Sequence, residues 1–188
     1  SGSAPRGVPL HLYGELVLAA HSHKIPVIVD AHDELLRHAV QAGPTVVKPN
    51  LAELSELCNR TLSVPAGVLE ACSDLHELGI RVVVCSLGAE GAIASAKGQG
   101  VYRVRAPKVE VVSPVGAGDA MVAAFAAASI ERRPLVERLR WAVAAGTASC
   151  TVFGAGFVTR PEVEALTSRV VVEDLGVGSP PEVTTEVP

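Results

Sequence analysis

The sequence predicts an α/β fold with a mostly parallel central sheet, and two observations carry this prediction. Short valine-rich stretches alternate with longer helical stretches, as in strand–helix–strand units. Aromatic residues make up only 3% of the 188 residues whereas apolar residues make up 48%, so alanine, valine and leucine must build the core. Such residues suit strands buried on both faces beneath closely packed, alanine-rich helices.

Each element is predicted from its apolar pattern and from the residues that bound it. Proline and glycine supply several boundaries: Pro26 follows the first helix, Gly43-Pro44 the second and Gly79 the fourth. The predicted helices span residues 13–23, 34–41, 51–58, 63–78 with Ser63 as the cap, from the 116–119 segment to about 129, and 134–150. The predicted strands span residues 27–30, 45–48 and 81–86, followed by a hairpin of 91–95 and 101–104.

Composition excludes several classes of function. The net charge of −4 disfavours a nucleic-acid partner, which usually requires a basic face. No apolar run is long enough to span a bilayer and no signal-like segment opens the chain, so we expect a cytoplasmic protein without a membrane partner. The four cysteines form no Cys-x-x-Cys pair, which favours buried free thiols over zinc ligands or disulfides.

The segment Gly116-Ala117-Gly118-Asp119 carries the strongest chemical signal, because it lies where a loop becomes a helix. Two glycines let the backbone turn tightly and approach a ligand. The first amides of a helix have no partner within the helix and favour negative charge, so this turn suits a transferring phosphoryl group. Asp119, in the first helical turn, could accept a proton from an attacking hydroxyl.

Other interpretations of this segment stay open on the residues alone. It could be a simple helix start with glycines for close packing. A Walker A loop is excluded because no Gly-Lys-Ser/Thr follows, and Met121 stands where a dinucleotide-binding fingerprint needs its third glycine.

Two further segments follow predicted strands at the end of the sheet where ligands usually bind. In Lys48-Pro49-Asn50-Leu51-Ala52-Glu53, the lysine could neutralise a phosphate and Glu53 could serve hydrated Mg²⁺. The alternative is an ordinary capping pair of Asn50 and Glu53. The small residues of Ser86-Leu87-Gly88-Ala89-Glu90-Gly91 could seat a nucleotide on backbone, or form a plain strand-to-hairpin turn.

Together, the segment from Val111 to Phe125 and these two segments resemble the motifs of PfkB-type, ribokinase-like carbohydrate kinases. The opening residues 1–7, the Lys-Pro-Asn element and the stretch from Val115 to Met121 together look most like the 1-phosphofructokinase and tagatose-6-phosphate kinase branch. The resemblance implies a three-layer αβα sandwich that transfers phosphate from ATP, with Mg²⁺, to a sugar phosphate. It also implies a non-catalytic nucleotide-binding remnant or partner subunit as the alternative.

The resemblance assigns roles to named residues. Asp119 becomes the catalytic base, and Gly116, Ala117 and Gly118 supply the anion hole. Glu53 becomes the metal-associated residue. The nucleotide-binding residues are Lys48, Asn50, Ser86, Gly88, Glu90, Gly91 and Gly118.

The resemblance also implies a domain organisation. Residues 1–168 would form the ATP-binding, C-terminal part of the kinase domain, without the N-terminal half and its lid. Residues 169–188, with prolines and several acids, are expected to be a disordered tail. A homodimer is then expected only for a complete chain. The other expected partner is a separate chain that supplies the missing half.

Overall fold

The secondary structure follows the predicted alternation of short strands and helices. The structure, a computed structural model, describes residues 2–5 and 7–176. The helices are α1 Leu12–Ser22, α2 Asp33–Gln41, α3 Leu51–Leu57, α4 Ala66–Glu77, α5 Ala117–Ile130, α6 Leu135–Ser149 and α7 Arg160–Thr167. The strands are β1 Ile28–Val29, β2 Val46–Val47, β3 Val82–Ser86, β4 Ala92–Ala96, β5 Gly100–Arg105 and β6 Val171–Gly176.

The strands form one sheet in the order β1-β2-β3-β4-β5-β6. β1, β2 and β3 are parallel neighbours joined by helical connections, which confirms the α/β fold. β3, β4, β5 and β6 pair antiparallel, and β4 with β5 forms the predicted hairpin. Parallel pairing is therefore confined to β1, β2 and β3, and three of the five strand pairs are antiparallel.

Helices cover both faces of the sheet, as the predicted three-layer sandwich requires. Because successive residues of a strand point to opposite faces, β3 contributes to two cores. Val82 and Val84 pack in the core that includes α5 and α6 residues. Val83 and Cys85 pack in the other core, with residues of α1, α2 and α4.

The prediction of a disordered tail is wrong for residues 171–176. Residues 171–176 form β6, which pairs with β5 and places Val172 opposite Val104. The side chain of Glu173 also forms an ion pair with Arg105, with 2.8 Å between Oε1 and Nε. Residues 177–188, the rest of that prediction, lie outside the described residues.

Two other expectations change in detail. The fourth helix begins at Ala66 instead of directly after Ser63, although the Ser63 hydroxyl still accepts a hydrogen bond from the Gly67 amide at 3.2 Å. All four cysteines are free, with Cys72 and Cys85 buried and Cys58 and Cys150 partly buried. Within the ranges that the structure describes, no helix has the length and apolarity needed to cross a membrane.

Candidate active site

The site is built around the first turn of α5. Gly116 is the N-cap residue in the left-handed conformation, with φ 84°, which favours glycine. The Ala120 amide donates to the Gly116 carbonyl at 2.9 Å, which begins the helical bonding pattern. The Ala117 amide donates to the Pro114 carbonyl at 3.3 Å, which leaves the Gly118 and Asp119 amides at the helix start, where the macrodipole favours anions. Asp119 lies in this turn with an exposed side chain, as the predicted proton acceptor requires.

The loop that contains Ala155 and Gly156 packs directly against Gly116. A Cβ built on Gly116 would lie 2.2 Å from the amide nitrogen of Gly156 and 2.7 Å from the Ala155 carbonyl carbon. The preceding segment is tied to the end of α6, because the Val112 and Ser113 amides donate to the Cys150 carbonyl at 2.8 and 3.2 Å. Two backbone segments therefore fix where α5 begins.

A buried ion pair lies behind this turn. Lys48 Nζ is 3.1 Å from Asp30 Oδ1, and the two side chains are only 9% and 16% exposed. A Cβ built on Gly118 would lie 3.3 Å from Lys48 Nζ and 3.6 Å from Asp30 Oδ2. The absence of a side chain on Gly118 thus leaves room for an ammonium group at the start of α5. Sequence reasoning gave Asp30 no role.

The turn after β3 forms the opposite side of the site. Residues Gly88–Glu90 make one turn of 3-10 helix, closed by a hydrogen bond from the Leu87 amide to the Gly91 carbonyl at 2.8 Å. Gly91 has φ 89°, and a Cβ there would lie 2.0 Å from the Val104 carbonyl oxygen. Only glycine fits this position, so the turn is held close against β5.

A cleft of about 610 Å³ joins the two sides. It contains five predicted site residues: Ser86, Gly88, Gly91, Ala117 and Gly118. Its volume is in the range of pockets that hold a nucleotide-sized ligand. The remaining lining residues come from the turn after β3, the loop after β5, the segment before α5, and α5 and α6 with the C-cap of α6: Ala89, Ala106, Pro107, Lys108, Val109, Val111, Pro114, Met121, Val143, Gly146, Thr147 and Cys150.

Asn50 and Glu53 form the capping box of α3. The Glu53 amide donates to Asn50 Oδ1 at 2.9 Å, and the Asn50 amide donates to Glu53 Oε2 at 2.7 Å. The structure therefore shows the capping interpretation of this pair. The capping bond uses the Oε2 oxygen of Glu53. In residues 2–5 and 7–176, no group of three or more His, Cys, Asp or Glu side chains could hold a metal ion.

Asn50 nevertheless lies beside the predicted nucleotide-binding turn. The Ser86 amide donates to the Pro49 carbonyl at 2.9 Å, and Asn50 forms a parallel bridge with Ser86. A smaller depression of about 340 Å³, lined in part by Asn50, Ser86, Gly88 and Glu90, adjoins the cleft. The two hollows share Ser86 and Gly88.

Glu90 lies outside the larger cleft. Its carboxylate Oε2 lies 2.5 Å from Nη2 of Arg103, whose side chain is only 9% exposed. This ion pair fixes the turn after β3 to β5. The predicted role of Glu90 in nucleotide binding therefore stays a prediction, with a structural role beside it.

The cysteine thiols near the site are protonated groups. Burial raises the pKa of the Cys85 thiol to about 12, although the nearby Lys48 charge opposes this shift. Burial also raises the pKa of the Cys150 thiol, which lines the cleft. A thiol is a poor nucleophile until it ionises, so neither group suits covalent catalysis.

Comparison with known proteins identifies the family of this chain. The model of the pfkB family of carbohydrate kinases matches residues 1–162. The chain belongs to the pfkB family. Among curated relatives, 1-phosphofructokinase of Escherichia coli strain K12 is 36% identical over 171 residues, which cover 90% of this chain and 54% of that protein. The chain thus spans about half the length of the curated relatives it matches.

Solved structures of the same class share the fold. Phosphofructokinase-2 from Escherichia coli in complex with substrates and products superposes with a TM-score of 0.83 at 36% identity. That match covers 90% of this chain and 55% of the other. Arabidopsis thaliana ribokinase complexed with ribose and ATP gives a TM-score of 0.75 at 29% identity, with 86% and 54% covered. The ribokinase-like fold is therefore confirmed.

Sequence reasoning missed the part of the cleft contributed by α6. Val143, Gly146, Thr147 and Cys150 line it, but their spacing also fits an ordinary core helix. One signal was available, because a glycine inside a helix usually has a packing reason. A Cβ on Gly146 would lie 2.6 Å from Met121 Cγ, so this glycine brings α6 close to α5.

Proposed function

We propose that this chain forms the nucleotide-binding and phosphoryl-transfer part of a 1-phosphofructokinase-like kinase. The reaction would move the γ-phosphoryl group of ATP to a hydroxyl of a sugar phosphate. The single observation that supports it best is the 610 Å³ cleft, which joins the predicted nucleotide turn at Ser86 to the helix start at Gly118. The 36% identity to 1-phosphofructokinase supports the choice of a sugar phosphate as acceptor.

The residues present fit ATP. Glycines 88, 91 and 118 line the cleft, and side chains there would narrow it. At Gly91 a Cβ would also overlap the backbone of β5. We propose that the turn at Ser86–Gly91 seats the nucleotide while the first amides of α5 face its terminal phosphates.

Mg²⁺ fits as an ion carried by the nucleotide. Mg²⁺ usually keeps several waters and binds through one or two carboxylates plus substrate phosphates, and needs no protein cage. Glu53 is the proposed carboxylate, acting through water from the capped start of α3. When bound, the ion would neutralise charge on the phosphate oxygens.

The proposed chemistry depends on Asp119. The acceptor hydroxyl oxygen forms a bond to the γ-phosphorus as the bond from that phosphorus to the bridging oxygen breaks, leaving its electron pair on ADP. Asp119 accepts the hydroxyl proton. The amides of Gly118 and Asp119 stabilise the charge that spreads over the transferring group, which is the main task of the protein in phosphoryl transfer. The Ala117 amide donates to the Pro114 carbonyl at 3.3 Å and would join them only by giving up that bond.

The test begins with the chain as given. ADP release would be measured with Mg-ATP and fructose 1-phosphate, fructose 6-phosphate or tagatose 6-phosphate, together with calorimetric titration of ATP. Sugar-dependent ADP release supports the kinase, and the best substrate identifies the sugar. ATP binding without transfer to any sugar supports instead a nucleotide-binding remnant or partner subunit. A chain that binds no ATP refutes the proposed function.

The role of Asp119 is tested by Asp119→Asn, with Asp74→Asn as the control. Asp74 is an exposed carboxylate of α4 that pairs with Arg60, on the other side of the sheet from α5. Loss of a general base should lower kcat by about 10²–10⁴-fold and leave ATP binding intact. Near-normal kcat in Asp119→Asn would remove this residue from the proton transfer.

A further inference from the structure

Asp30 and Lys48 occupy matching positions at the ends of two neighbouring strands. β1 and β2 are parallel, with Val29 opposite Val47, and the Lys48 amide donates to the Val29 carbonyl at 2.9 Å. Asp30 and Lys48 come one step further along each strand, so they are the next pair across. Side chains at matching positions of parallel neighbours point to the same face.

That face is the one covered by α5. Val46, two residues before Lys48, belongs to the core that contains α5, and Ile28, two residues before Asp30, packs against it. The pair therefore points at the helix. Gly118 lets the ion pair lie close to the helix, because a Cβ at this position would come 3.3 Å from Lys48 Nζ.

A lysine in this place needs a counter-charge. The start of α5 carries partial positive charge, and an ammonium group beside it is repelled. The Lys48 side chain is also 9% exposed, so little water stabilises its charge. Asp30, at 3.1 Å, is the carboxylate that touches it.

We infer that Asp30 is a positioning residue, which holds the Lys48 ammonium group against the first turn of α5 so that it strengthens the anion site there. This inference rests on the proposed function for its effect on phosphate. Lys48 itself is not among the described residues that line the cleft, and Gly118 lies between Lys48 and the cleft. Its charge therefore acts from behind the turn, and this requires that it be held in place.

The first measurement needs no nucleotide. The chain contains only four lysines, so nitrogen-detected NMR of the ammonium groups gives few signals, and Lys48→Arg identifies that of Lys48. We expect the buried, paired ammonium of Lys48 to exchange protons slowly with water. Asp30→Asn should speed this exchange until the signal is lost, and Asp30→Glu should restore it in part.

Asp33→Asn is the matched control. Asp33 lies three residues along the chain, is exposed, and contacts His32 instead of a lysine. The same change of chemistry at this position should leave the Lys48 signal as in the unchanged chain. An equally protected Lys48 signal in Asp30→Asn would overturn the inference.

The second measurement compares two ligands. Because the effect is on charge, Asp30→Asn should weaken the binding of Mg-ATP at least about tenfold and leave adenosine binding unchanged. A general disturbance of the fold would weaken both ligands alike, and that result would overturn the positioning role. If the unchanged chain binds neither ligand, the proposed function fails, while the NMR measurement still decides whether Asp30 holds Lys48.

Discussion

The contact between Gly116 and the 154–156 loop gives a sharp prediction about how the site is held. In Gly116→Ala the new Cβ would lie 2.2 Å from the Gly156 nitrogen, although such carbons essentially never approach closer than 3.0 Å. Backbone must move at one of the two segments. The change also places a Cβ at φ 84°, in the left-handed region. We expect about 1–2 kcal/mol from the conformation and about 1–3 kcal/mol from the overlap.

Gly98→Ala separates the two contributions. Gly98 has φ 72° in the turn of the β4–β5 hairpin, and a Cβ there meets no atom within 4 Å. Both variants share the cost of the left-handed conformation and the altered entropy of the unfolded chain. The difference between their free energies of unfolding therefore measures the overlap alone.

The assay is urea unfolding followed by circular dichroism and by the fluorescence of the single tryptophan. We expect Gly116→Ala to lose about 1–3 kcal/mol more than Gly98→Ala. ATP affinity should also fall in Gly116→Ala, because the start of α5 is displaced. Equal losses in both variants would show that the 154–156 loop moves freely and does not fix the helix start.

Three further predictions concern stability. Asn50→Ala removes the cap of α3 and should lower the free energy of unfolding by about 1 kcal/mol, whereas an unchanged urea midpoint would show that the capping box contributes nothing. Leu54→Ala, at a side chain that is 0% exposed, should cost about 2–5 kcal/mol, and a smaller loss in thermal unfolding would mean that the site collapses around the change. Burial raises the pKa of the Cys72 and Cys85 thiols from 9.0 to about 12, so their contribution to stability is complete below about pH 9 and is lost as the pH rises towards 12. The double variant Cys72→Ala/Cys85→Ala should therefore lose less stability over that range, and identical losses would contradict the assigned cause.

The elements that sequence predicted best are those whose signals are local. The helix α5 is marked by the glycines at its start, Gly116 and Gly118, and by an alanine-rich run within it. The hairpin of β4 and β5 is marked by the turn at Gly98. β6 was missed because it has no such signal. Its residues are half-exposed or exposed, without clear alternation, and it lies at the edge of the sheet. Its formation depends on pairing with β5, about seventy residues earlier, and periodicity does not report such a contact.

The candidate site also has parts that local sequence signals predict and parts that depend on contacts between distant residues. The Gly116–Asp119 turn and the Ser86–Gly91 turn could be found from sequence. Each needs a backbone conformation that favours glycine, so glycines at short spacing indicate it. The pairing of Asp30 with Lys48 could not, since it depends on which strands are neighbours and in which register. The sequence shows only that each residue follows a short apolar stretch.

The geometry of the first turn of α5 suggests why its charges differ in exposure. A proton acceptor must reach a hydroxyl of a substrate that comes from outside, and Asp119 is exposed. A group that only stabilises charge can act from behind the backbone, where less water screens it, and Lys48 is buried there. The missing side chain of Gly118 lets both lie within one helical turn. If Lys48 acts in this way, Gly118→Ala should weaken ATP binding in calorimetry while the urea midpoint changes little, because the new Cβ, 3.3 Å from Lys48 Nζ, displaces the held ammonium group and meets no backbone atom.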